Sequence, residues 1–136
     1  MDALLTATAL IEAGAGVALL ILPSRAVELL LGAPLEAPDA FTVARVGGTA
    51  LLTLGAAAWL ARGDTQSRAA RGLVSAMVIY NLGVALILGA AGIRSERVGI
   101  VLWPAVVLHT AMTIWCIMSL RHPSIAEDSG NLRQQL

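Results

Sequence analysis

The run LLTATALIEAGAGVALLIL, residues 4–22, decides the fold. It has the length of a membrane-crossing helix, about 20 residues for a hydrocarbon core of about 30 Å. Its one charged residue, Glu12, stands near the middle. Three further apolar runs follow, at 41–61, 69–93 and 98–120, so four candidate spans fill most of the 136 residues. The chain is 57% apolar and 13% charged, with a mean hydropathy of +0.79. A water-soluble domain of this size leaves too much surface wet to hide such a composition, so lipid is the expected solvent. The sequence therefore reads as an all-α, polytopic membrane protein. A four-transmembrane-helix bundle over 1–122 is followed by a polar tail, 123–136, expected to be disordered.

The first run differs from a secretory leader. No basic residue precedes it, it is long for such a segment, and Pro23, Ser24 and Arg25 follow it instead of a small-residue cleavage site. A retained span is expected. The linkers at 62–64 and 94–97 are short, which predicts that spans two and three, and then three and four, are antiparallel neighbours. The linker after span one is longer. Ser24 is expected to cap a short interfacial helix running to Leu31, stopped by Gly32 and Pro34. Arginines favour cytoplasmic termini: Arg62, Arg68, Arg71 and Arg121 on the terminal side against Arg25, Arg94 and Arg97 on the other. The stretch GVALL at 16–20 is echoed by GVALI at 83–87, as duplication of a two-helix hairpin would produce.

Depth is the informative coordinate for function. At 1.5 Å per residue, Glu12, Asn81 and His109 each fall within roughly 3 Å of the midpoint of their span. An acidic residue held at mid-bilayer costs about 2.5–3.5 kcal/mol on insertion scales, which argues for a use. Asn81 alone is explained as well by interhelical hydrogen bonding, and His109 alone by a neutral core histidine. Neighbours one or two turns away are mostly small or hydroxyl-bearing around two of these residues: Thr8, Ala9, Ala15 and Gly16 around Glu12, and Ala105, Met112, Thr113 and Cys116 around His109. Such faces pack against helices, so Glu12, Asn81 and His109 are expected to meet inside the bundle. Arg45 lies about 9 Å from its span's midpoint, on a stripe with Thr49, and either snorkels outward or partners Glu12. The expected pocket comprises Glu12, Arg45, Thr49, Tyr80, Asn81, His109 and Thr113.

Other features exclude more than they assign. A net charge of zero provides no footprint for nucleic acid. Two histidines and one cysteine cannot close a metal site, and no phosphate-binding glycine loop occurs, so no cofactor is expected. Pro104, inside the fourth run, predicts a kink about one turn before His109. Trp59 and Trp103 fall where interfacial belts belong, whereas Trp115 is deeper and expected to pack inside.

The strings LIEAGAG at 10–16 and ARVGGTALL at 44–52 resemble those of small bacterial four-helix membrane proteins, the DoxX-like group. The resemblance covers the first two spans, implies a bacterial inner-membrane setting and carries no particular activity. Small multidrug transporters also have four short spans and a glutamate in the first, which Glu12 matches. Their aromatic-rich helices are missing, since the first two spans offer only Phe41 and Trp59. The reading favoured is a binding or accessory protein, with membrane lipid or a small amphipathic ligand as partner and room for a homodimer or a larger membrane complex. A proton-coupled oligomeric transporter working through Glu12, and an intramembrane isomerase or cyclase using Glu12 and His109 as an acid–base pair, remain alternatives.

Overall fold

Five helices follow one another in the computed structural model, which describes residues 1–121: α1 Asp2–Ile21, α2 Pro23–Leu31, α3 Pro38–Ala61, α4 Arg68–Arg94 and α5 Leu102–Arg121. The protein is all-helical, and α1, α3, α4 and α5 are each long and apolar enough to cross a membrane. The tail expected at 123–136 lies outside the described residues.

Local chemistry sets the helix ends. Pro23 opens α2 at its first position, where the missing N–H costs nothing. Ser24 is not the cap expected of it; it lies inside α2, and its hydroxyl instead accepts from the Leu35 N–H at 3.1 Å, tying down the chain that leaves the helix. Gly32 ends α2 in the left-handed conformation, φ 83°, which glycine adopts without the Cβ penalty. Ser67 caps α4 by accepting from the Ala70 N–H at 3.1 Å. The kink expected at Pro104 is absent because α5 begins only at Leu102. Pro104 therefore sits in the first turn, where backbone N–H groups have no helical partner to lose.

Packing pairs α1 with α3 and α4 with α5. The connection between α3 and α4 is short, as expected, yet these two helices touch little, so they are not the close neighbours that the loop length suggested. The α1–α3 seam is backbone on backbone. A Cβ at Gly16 would stand 2.7 Å from both the Gly48 carbonyl oxygen and the Leu52 nitrogen, and one at Gly55 would stand 2.8 Å from the Ala13 nitrogen. Small residues permit this approach, and dispersion over the seam holds it where lipid offers no hydrophobic drive. The echo between 16–20 and 83–87 is not used in the same way, because nothing lies within 4 Å of a Cβ built on Gly83.

The two helix pairs enclose two different interiors. Toward the end that carries Met1, the side chains of Leu4, Leu5, Ala58, Val74, Met77, Met112 and Cys116 form a closed core drawn from all four spans. Arg71 donates to the Leu120 carbonyl at 3.3 Å at this same end. At the other end α2 packs over the loop before α5: the Val101 N–H donates to the Leu29 carbonyl at 3.0 Å. Gly99 meets the Leu29 backbone so closely that no side chain would fit there. Trp115 is 41% exposed and faces outward, contrary to the expectation of an interior position. Arg62 lies over the Trp59 ring, 3.2 Å from its centroid, at the close of α3.

Candidate functional site

Between the closed core and α2 lies a cavity of about 330 Å³ lined by all five helices. Its floor is polar: Glu12 from α1, Tyr80 from α4 and His109 from α5. Its walls are aliphatic, including Leu19, Leu51, Val84 and Leu108, and its roof is Ala26 and Leu30 of α2 with Val101. Ala15 and Ala105 leave the room immediately above the polar floor, one turn from Glu12 and from His109 respectively.

Glu12 is 3% exposed, and its Oε2 accepts the Tyr80 hydroxyl at 3.0 Å. The Tyr80 ring meets His109 edge-on, centroids 5.8 Å apart at 80°, so the α1–α4 contact continues to α5. Behind His109, Asn81 is 1% exposed and donates from Nδ2 to the Met77 carbonyl at 2.8 Å. That acceptor fixes the amide, leaving Asn81 Oδ1 to face His109 Nδ1 at 2.7 Å. A carbonyl oxygen can only accept, so Nδ1 carries the hydrogen and His109 Nε2 is the bare nitrogen of the neutral ring. Thr113 donates to the His109 carbonyl at 2.8 Å and steadies the backbone below it without lining the cavity.

Of the seven residues expected to form the pocket, Glu12, Tyr80 and His109 line the cavity, and Asn81 and Thr113 support His109 from behind. Arg45 and Thr49 are elsewhere. Both are exposed on the outer side of α3, where the Thr49 hydroxyl donates to the Arg45 carbonyl at 3.0 Å. Gly48, not Arg45, faces α1, so Arg45 does not partner Glu12. Among the described residues the ion pair is Arg25–Glu28 on α2, at 2.8 Å. No three His, Cys, Asp or Glu side chains gather as a metal ion needs, again among the described residues. The hydrogen bond from Tyr80 to Glu12 and the role of α2 as roof had no sequence signal beyond the polarity of Tyr80 and the apolar side of α2.

Comparison of the chain with family models, with characterised proteins and with solved structures gave no match.

Proposed function

We propose that the protein is a small integral membrane binding or accessory protein of the bacterial inner membrane, termini cytoplasmic, that holds an amphipathic molecule in the cavity beneath α2. One observation carries this reading: the cavity is polar at a single end, at Glu12, Tyr80 and His109, and aliphatic elsewhere. That division matches a ligand with a polar head and an apolar body, and the volume falls in the usual range for small-molecule sites. The closed core beyond the polar floor supports a pocket over a path, because a single copy offers a ligand nowhere to go toward the Met1 end.

The test is the ligand content of the full chain, purified in mild detergent and weighed by native mass spectrometry. The wild type should retain a bound molecule. Ala105→Phe, which fills the space above His109, should retain at least tenfold less. Equal retention by the two, or none by the wild type, contradicts the reading.

A second reading has its own support. Asn81 fixes the tautomer of His109 as an orienting residue does for a general base, and Glu12 lines the same cavity. An isomerase or cyclase would use the two as base and acid. Extracted ligand re-added to fresh protein and recovered as an isomer of unchanged mass would select this alternative; recovery unaltered would reject it.

A further inference from the structure

We propose that the cavity selects a positively charged, N–H-donating head group, that of a single-chain lipophilic amine, with Glu12 as its counter-ion. This rests on the reading of the cavity as an amphiphile site and specifies its chemistry.

The argument is an inventory of donors and acceptors on the polar floor. Tyr80 spends its hydroxyl hydrogen on Glu12 Oε2, and Glu12 Oε1 has no partner among the described residues. His109 spends its N–H on Asn81, which leaves Nε2 with a lone pair and no partner among them. Among the described residues the fully buried unpartnered polar side-chain atoms are Thr8 Oγ1 and Arg62 NH1; Oε1 and Nε2 are not in that class, so each keeps some accessible surface, and both side chains line the cavity. With Glu12 ionised, the floor offers two free acceptors and no free N–H donor.

Charge points the same way. A carboxyl group in a low-dielectric interior is ionised only beside a cation, so a cationic head is the ligand that would hold Glu12 in its charged form. Among the described residues none is paired with Glu12: Arg45 faces outward, Arg62 lies over Trp59 at the end of α3, and Arg25 is paired with Glu28. An ammonium head has three donors, enough for Oε1 and Nε2 together, and supplies the missing charge. A hydroxyl head has one donor and no charge. An anionic head would find no cation among the side chains that line the cavity. Above the floor, the aliphatic walls and the α2 roof fit an alkyl chain and exclude a bulky polar extension.

The experiment compares decylamine, decanol and decanoate, which share a chain and differ in the head. Each is titrated into the full chain in an uncharged detergent, and the rise in unfolding temperature gives the half-saturating concentration. Decylamine should half-saturate at a concentration at least tenfold below that of decanol, the order expected when a charged hydrogen bond replaces a neutral one. Decanoate should give no shift. In Glu12→Gln the tenfold preference for decylamine over decanol should vanish. Equal response of the wild type to decylamine and decanol overturns the proposal, as does an amine preference that survives Glu12→Gln. Where that variant fails to fold, the wild-type ranking of the three heads decides alone. Binding of decanol without amine preference leaves the amphiphile site standing and removes only the head-group assignment. A response to none of the three removes both.

Discussion

The Glu12 carboxylate keeps one of its oxygens bonded to the Tyr80 hydroxyl and the other free, and this half-satisfied state is the chemical centre of the molecule. One turn earlier on α1, Thr8 is 1% exposed and its hydroxyl has no partner. A buried donor without an acceptor costs about 1–3 kcal/mol, so Thr8→Val, which keeps the shape and removes the hydroxyl, should raise the unfolding temperature. A fall on thermal denaturation in detergent would mean that the hydroxyl has a partner in solution. Part of the site was legible residue by residue. Glu12, Asn81 and His109 stand out because mid-bilayer polarity is expensive, and each does face inward. Arg45 was not legible in the same way. Its side chain is long enough to reach either direction, and Gly48, three residues on and about 60° around the helix, takes the inward position instead.

The four spans were readable as elements because length and unbroken apolarity suffice to mark a crossing. Their partners were not. In lipid, outward and inward faces are equally apolar, so the period that betrays the buried side of a soluble helix is nearly absent. Loop length then suggested the wrong neighbours for α3, whereas the glycines at 16, 48 and 55 carry the true signal, legible only once the helices are side by side. The seam gives a prediction with an internal control. Gly16→Ala drives a methyl to within 2.7 Å of backbone atoms that cannot yield, and should cost about 1–3 kcal/mol by overpacking. Gly14→Ala, two residues away with nothing within 4 Å, should be neutral or slightly stabilising. Thermal unfolding of the two variants side by side checks this, and equal behaviour would show that α1 and α3 do not meet along these glycines.

At the scale of the whole molecule, the bundle is packed toward its Met1 end and hollow beneath α2. The short helix has a physical place in that design. Its Leu29 carbonyl bonds the loop before α5, its Leu30 lines the cavity, and Gly32 and Gly99 allow the two backbones to touch. The helix and its apolar side were legible from residues 24–31, but not what that side covers, since its partner loop lies some seventy positions further along the chain. The most direct measurement is an experimental structure of the full chain in lipid nanodiscs, without harsh delipidation. The account predicts non-protein density inside the bundle, its head against Glu12 and His109 and its body running toward Leu30. A cavity closed by the protein's own side chains, or Glu12 turned outward to lipid, would contradict it.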